Sequence, residues 1–523
     1  MKKFAIMLFT LILIGSMAFS QGGSEKTAAT AAPDHIDVLH VGLINWPKSF
    51  EPSDSIGKTT TRWISNMFDT LLYTENDGSI SSYICDSWSR VDDTTYEFKL
   101  KKGITFHNGD PLTAKDVKYS FERVLNKTTG SNPTNVRAVI DPVKEIQIVD
   151  DYTLRMITRY PDPIFFNRCG SYLSCYIVPM DYIEKNGNEY FGTHPIGTGP
   201  YALESSSPET MVFKYYEGYY GKKPIADKIE FRYIVEPVAM ATAILNGEID
   251  ICPDLTVESA KIIKARSSNE VSVFMEATSL SHLLQFNLMD PVVSNTKLRQ
   301  AMSLAIDRKL LCETLWEGYA TVPNGYNYTE YGEYYIPDYP EYEYNVEKAK
   351  QLVKESGYNG EPVVYSLRPG YYAMGNEAAE AIVAMWQAVG INASVKYDAT
   401  FTSSKFSETC GVAVTNWSNG LRFSDPLGGL WLLWGPGHVW QKAPAAAAFK
   451  DEYNRLGHVV EVEQDVEKRK EAYRQLMQVW DNNVVGTIIY CPQYVWCVSN
   501  RFNWDFVAGK AISYRAEALS LAK

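Results

Sequence analysis

Apolar and polar residues alternate at Tyr96, Phe98 and Leu100, with Glu97 and Lys99 between them. The same period of two recurs at Ile229, Phe231 and Tyr233, around Glu230 and Arg232. Side chains of a strand point alternately to opposite faces, so both stretches predict strands with one buried face. Elsewhere the period is helical. Thr113-Ala-Lys-Asp116 is a capping-box start, followed by Val117, Phe121, Val124 and Leu125 on one face. Leu298, Met302, Ala305 and Ile306 mark a second helix, and Asn345 caps a third that stops at Gly357. A fourth carries Ile382, Val383 and Trp386, stops at Gly390, and leads into the alternating strand 391–397. Helix and strand signals mix throughout with no internal repeat, which predicts α/β lobes.

The N-terminus departs from this pattern. Lys2 and Lys3 precede an apolar run from Phe4 to about Gly15, and Ala18-Phe19-Ser20 follows. That order predicts a cleaved secretory signal peptide over residues 1–20. The competing reading, a membrane anchor, meets a run that is short for a span of roughly 20 residues and is broken by Thr10, Gly15 and Ser16. No cysteine precedes Cys85, so no lipidated N-terminus is expected. Residues 21–35 are small and polar and read as a flexible leader. The mature chain is therefore expected to be a soluble protein of the periplasm or another extracytoplasmic space, and not a lipoprotein.

Composition narrows the classes. The chain has 523 residues, 45% hydrophobic and 21% charged, which suits a globular protein with a large core. The net charge of −12 argues against nucleic acid as a partner, because phosphate binding needs concentrated Lys and Arg. It also argues against a polybasic membrane anchor. There is no G-x-S-x-G elbow, no H-E-x-x-H and no Walker loop. The seven histidines are scattered, so neither a metal site nor a cofactor is expected. Gly197-Thr-Gly-Pro200 reads as a tight turn into a strand at Tyr201. Of the eight cysteines, Cys169 and Cys175 could pair across a turn. Cys491 and Cys497 fall in an apparent strand that would hold them about 20 Å apart, and most of the eight read as small buried hydrophobes.

The stretch from His107 to Arg123, HNGDPLTAKDVKYSFER, with Ser87-Trp88 before it, resembles the oligopeptide/dipeptide-type family 5 of extracellular solute-binding proteins of ABC importers. The similarity continues in order through Gly197–Tyr201, Leu245–Asp250, Phe286-Asn287, Leu298–Arg308, Gly318–Ala320, Ala349–Gly357, Gly390-Ile391 and Asp425-Pro426. It covers essentially all of the chain beyond the leader. The resemblance implies a two-lobe periplasmic-binding-protein fold of type II-like α/β architecture, with an extra domain inserted in the first lobe. Lobe one would comprise 36–73, 196–280 and 503–523, the extra domain 74–195, and lobe two 281–502. A small molecule or peptide would be captured between hinged lobes and passed to the importer's membrane permease, without catalysis and by a monomer.

The resemblance also implies a ligand-binding set. It takes Asn45 and Trp46 after the first strand, and Trp417, Asn419, Arg422 and Phe423 in the segment that starts at a Trp of lobe two. Tyr490, near the crossover, and Tyr372 complete the implied set. Trp434, with Trp431 and Trp440 in a Gly/Pro-rich loop, is a further candidate. Arg422 is the departure: reading back from Asp425-Pro426, it holds the place where peptide-binding members carry an Asp for the α-ammonium. A guanidinium there suits carboxylate, phosphate or hydroxyl-rich ligands; the alternatives are pairing with Asp425 or pointing to solvent. Peptide is the commonest ligand class of the family, with saccharide or acidic organic ligands next. A sensory binding protein and a secreted hydrolase are the competing functions.

Overall fold

The computed structural model describes residues 35–54, 58–75, 78–129, 134–171, 173–266, 269–421, 423–506 and 511–522. The expected signal peptide and nearly all of the expected leader lie outside the described residues, as does Arg422.

The strand expected at Tyr96 runs Thr95–Leu100, with Tyr96, Phe98 and Leu100 buried. It is central in a four-stranded antiparallel sheet, flanked by Cys85–Arg90 and Thr153–Thr158, with Val143–Asp150 beyond. The helix Ala114–Leu125 starts at Thr113, whose capping box with Asp116 is formed, and buries Val117, Phe121 and Val124. The second expected helix runs Thr296–Leu304 and stops just before Ala305. Asn345 caps Val346–Glu355, and Gly357 follows at φ +75°, the left-handed conformation that ends a helix without steric cost to glycine.

The strand around Ile229 spans Ala226–Tyr233 and pairs in parallel with the first strand, Ile36–Leu43. Both belong to a seven-stranded sheet ordered Val271–Ala277, Gln493–Ser499, Ile251–Cys252, Ile36–Leu43, Ala226–Tyr233, Thr210–Tyr215, Tyr201–Ser206. A five-stranded sheet, ordered Ala393–Tyr397, Val363–Leu367, Val414–Asn419, Ser281–Phe286, Gly486–Tyr490, forms the centre of the second lobe. The four-stranded sheet is built from chain lying between strands of the seven-stranded one, so it is an insertion in the first lobe. The fold is two-lobed α/β with that extra unit.

One expected boundary moves. The strand Gln493–Ser499 pairs with Ile251–Cys252 and Val271–Ala277, so it belongs to the first lobe and not to a second lobe running to 502. The expected continuous strand holding Cys491 and Cys497 is broken for the same reason: Cys491 lies between two strands that enter different sheets. All eight cysteines are free thiols in this structure, the buried Cys169 and Cys175 among them.

The Gly197–Pro200 segment is a close-approach turn, as expected. A Cβ on Gly197 would lie 2.0 Å from Met67 O, and one on Gly199 would lie 2.6 Å from Met67 C. Gly199 N donates to Met67 O at 2.9 Å, at the end of the helix Lys58–Met67. The same helix end is held by Arg515, whose buried guanidinium donates to Ser65 O and Phe68 O and pairs with Asp69 at 2.6 Å. A cation there satisfies carbonyls that the last helical turn leaves open.

Candidate functional site

Two neighbouring chain segments connect the lobes. One runs from Val271–Ala277 into Ser281–Phe286, and the other returns from Gly486–Tyr490 into Gln493–Ser499. Ala277 pairs with Gln493 on the first-lobe side and His282 with Tyr490 on the second-lobe side. Between them stands Pro492, which has no N–H to donate, so the ladder is interrupted there. Its carbonyl accepts from Thr278 N at 3.2 Å and Thr278 Oγ1 at 3.1 Å. Cys491 turns aside to exchange backbone bonds with Thr321 at 2.7 and 3.0 Å. A short double crossover with few ladder bonds is a place where two rigid lobes can bend.

The second lobe presents the ends of its strands to this crossover. Arg368 follows the strand Val363–Leu367 and lays its guanidinium 3.6 Å from the Tyr371 ring centroid. Tyr371 Oη is in turn bonded to Ser418 Oγ at 3.0 Å. Among the described residues Arg368 has no carboxylate partner, and its buried Nε makes no hydrogen bond. Beside it the His282 ring stacks on Tyr372 with centroids 3.6 Å apart, and Tyr490 and Trp316 close the cluster at 5.4 and 6.4 Å. Burial pushes the His282 imidazole down to about 3, so it is neutral, and its Nδ1 has no hydrogen-bond partner. Both amide atoms of Gln493 are likewise buried and unpartnered. Arg368 and His282 come together through Tyr371 and Tyr372, so two of the buried polar atoms without partners lie in one cluster beside the crossover.

The first lobe contributes its own rim. Asn45 is exposed just past the first strand. Trp46 is half-buried, donates its indole N–H to Ser207 O at 3.2 Å, and packs 5.4 Å from the Tyr233 ring. Near the crossover Arg62 and Asp254 form a buried ion pair, and Tyr494 Oη donates to Asp254 at 2.7 Å. The inserted unit reaches the second lobe as well. Tyr160 Oη donates to Glu461 at 2.6 Å, Arg90 donates to Gln464 at 3.0 Å, and Lys261 of the first lobe pairs with Glu317.

Five of the expected second-lobe residues lie on two opposite faces of the five-stranded sheet. Tyr372 and Tyr490 join His282 on one face of the five-stranded sheet, and Tyr490 is fully buried. Trp417, Asn419 and Trp434 gather on the other. Trp417 is half-buried and meets Trp434 edge-on at 5.4 Å. Trp434 is fully buried and donates its indole N–H to Tyr326 Oη at 2.9 Å, while Tyr326 donates to Asn419 Oδ1 at 2.7 Å. Trp434 and Asn419 are thus packing groups behind Trp417 in this conformation. Phe423 is buried under the Arg168 guanidinium, 5.5 Å from its ring centroid, and Arg168 is itself paired with Asp162. Arg368, His282 and Gln493 are the residues that sequence reasoning missed. An Arg-Pro-Gly turn at a strand end was the available signal for the first, and the other two are ordinary polar residues next to the crossover. Among the described residues no group of three His, Cys, Asp or Glu is placed to hold a metal, and no helix is long and apolar enough to cross a membrane.

Residues 80–441 match the bacterial extracellular solute-binding proteins, family 5 middle. The chain belongs to this family. A glutathione-binding protein GsiB of Pectobacterium atrosepticum is 27% identical over 314 residues, covering 59% of this chain and 58% of that protein. The chain thus aligns with less than two thirds of that relative's length. Heme-binding protein A of Haemophilus influenzae is 27% identical over 409 residues, covering 71% and 72%. Among solved structures, the Helicobacter pylori periplasmic binding protein DppA in complex with peptide STSA superposes with a TM-score of 0.77 at 21% identity, covering 94% of this chain and 99% of that one. AgaA of A. tumefaciens with agropinic acid gives 0.78 at 20%, covering 93% and 99%. These likenesses establish the family 5 fold over nearly the whole length.

Proposed function

We propose that this family 5 protein is the extracytoplasmic capture component of an ABC importer. It closes two lobes over a small polar ligand, with peptide the leading class, and hands it to a membrane permease. The observation that carries this reading is the Arg368 guanidinium, which has no carboxylate partner among the described residues and lies on Tyr371, beside the Tyr372–His282 stack near the crossover. A planar guanidinium with no internal carboxylate suits a ligand carboxylate held by two parallel hydrogen bonds. The neutral His282 imidazole beside it would meet a polar group of the ligand, and Trp46 on the first-lobe rim would cover an apolar part. Relatives carry names that speak of peptide, glutathione and heme, and a carboxylate on the ligand is in keeping with the chemistry of those compounds.

The same reading has the chain exported by cleavage after residue 20, working as a monomer without lipid, nucleic acid or catalysis. Mass spectrometry of small molecules released by denaturing the purified protein tests it. One carboxylate-bearing compound at equal stoichiometry, recovered unaltered, is the expected result. A chemically altered compound, or one without any anionic group, counts against the reading.

A further inference from the structure

Cys252 and Cys497 face each other across the antiparallel pairing of Ile251–Cys252 with Gln493–Ser499, in the register that also sets Ile251 opposite Val498. Residues directly opposite in such a ladder have Cα atoms about 4.5–5.5 Å apart, inside the roughly 4.4–6.8 Å that a disulfide spans. Direct opposition also puts both side chains on one face of the sheet. Both are fully buried free thiols, among Met240, Ile249, Ala260 and Val495. Cys252 Sγ donates to Asp254 O at 3.0 Å, so the thiol is already turned toward the strand end.

We propose that Cys252 and Cys497 form a disulfide when the chain folds in oxidising surroundings. The co-reactant is a small or protein disulfide. The thiolate of one cysteine attacks it, releasing one thiol and leaving a mixed disulfide. The second cysteine, as thiolate, then attacks the chain's own sulfur in that mixed disulfide and releases the other thiol. Two protons and two electrons leave the pair and reduce the reagent disulfide to two thiols. Because both sulfurs are shielded in the folded lobe, the exchange runs while the first-lobe sheet assembles, and the finished bridge resists reductant until the lobe opens. Cys497 lies five residues past Pro492 in the returning crossover segment. The bridge therefore ties that segment to the middle of the first-lobe sheet and leaves 278–281 and 491–492 as the part free to bend.

The test is to refold the full chain in a mixture of reduced and oxidised glutathione, alkylate, and map the bridges by digestion and mass spectrometry. The expected chain is about 2 Da lighter than the all-thiol form, with six of its eight cysteines alkylated after denaturation and one linked peptide pair carrying 252 and 497. The melting temperature should fall when the oxidised protein is reduced under denaturing conditions and refolded, and this fall should vanish in Cys252→Ala/Cys497→Ala. Eight alkylated thiols, or a bridge between other cysteines, overturns the proposal. The mapping needs neither a variant nor a ligand. A chain that carries this bridge but binds nothing therefore supports the pair while counting against the transport reading.

Discussion

Arg469 grips Asp425 through two hydrogen bonds of 2.7 Å, Nη1 to Oδ2 and Nη2 to Oδ1, and both side chains are buried. Asp425 Oδ1 also accepts from Leu427 N at 2.9 Å, which caps the turn Pro426–Gly428. Arg469 adds a bond to Val460 O at 2.7 Å and lies 4.7 Å over the Tyr334 ring. The pair fastens the loop that follows Trp417 to the long helix Val466–Asn483. It also bears on an alternative left open by the sequence, in which Arg422 neutralises Asp425. That carboxylate is already held in a bidentate grip by another residue 44 positions away.

Breaking this grip from one side should be costly. Arg469→Ala leaves a buried carboxylate without its partner, and such losses cost about 3–5 kcal/mol. The urea midpoint should drop accordingly. Arg469→Met combined with Asp425→Leu should recover part of the loss, because the remaining charge is gone too.

Gly199→Ala should destabilise the first lobe by about 1–3 kcal/mol, since overpacking forces the backbone to shift. The added carbon would sit 2.6 Å from Met67 C and 2.7 Å from Asn66 O, and backbone atoms cannot swing away as a side chain does. Thermal melting checks this, and an unchanged midpoint would show that the turn relaxes freely.

Acid should weaken the fold before most carboxylates titrate. Burial holds His107 down to about 4, His282 to about 3 and His438 to about 4, against 6.5 for an unconstrained imidazole. Between pH 6.5 and about 4 the unfolded chain therefore binds protons that the folded chain refuses, and stability falls as pH falls through that window. Asp481 acts the other way. Burial raises it from 3.8 to about 6, so there the folded chain binds the extra proton and gains stability on acidification. Burial raises the Asp116 and Asp162 carboxyls too, and the three imidazoles outweigh these three carboxyls because they titrate higher in the unfolded chain. Urea midpoints at pH 7 and pH 5 should show a net loss, and His107→Gln should reduce the slope by about one proton.

Arg368→Ala should weaken the natural ligand by about 10- to 100-fold, or roughly 1.4–2.7 kcal/mol, as expected for losing a charge-assisted contact. Arg368→Lys should recover only part of this, because an ammonium keeps the charge but lacks the paired donors. Calorimetric titration with the copurifying compound checks both. Equal affinity in all three proteins would remove Arg368 from the site.

Local features of the fold were legible because their causes are local. The capping box at Thr113, the alternation at Tyr96 and the helix stop at Gly357 each depend on a few adjacent residues. The crossover was not legible in detail. The resemblance puts a crossover near Tyr490, but Pro492 does not read as the break between two sheets, so Cys491 and Cys497 fall in one apparent strand and Cys252 is not seen to lie opposite Cys497. The aromatic candidates could not be sorted for the same reason. Trp434 and Trp417 look alike in sequence, but only the structure places one behind the other. Arg368 became conspicuous only once its surroundings were known to lack a carboxylate.

The central claim is capture of ligand by closure of the two lobes about the 278–281 and 491–492 crossover. Small-angle X-ray scattering tests it most directly, on protein stripped of ligand in denaturant and refolded, before and after the released compound is added back. The account predicts a smaller radius of gyration at saturation, reversed when the compound is removed. Tight binding with an unchanged radius would contradict it.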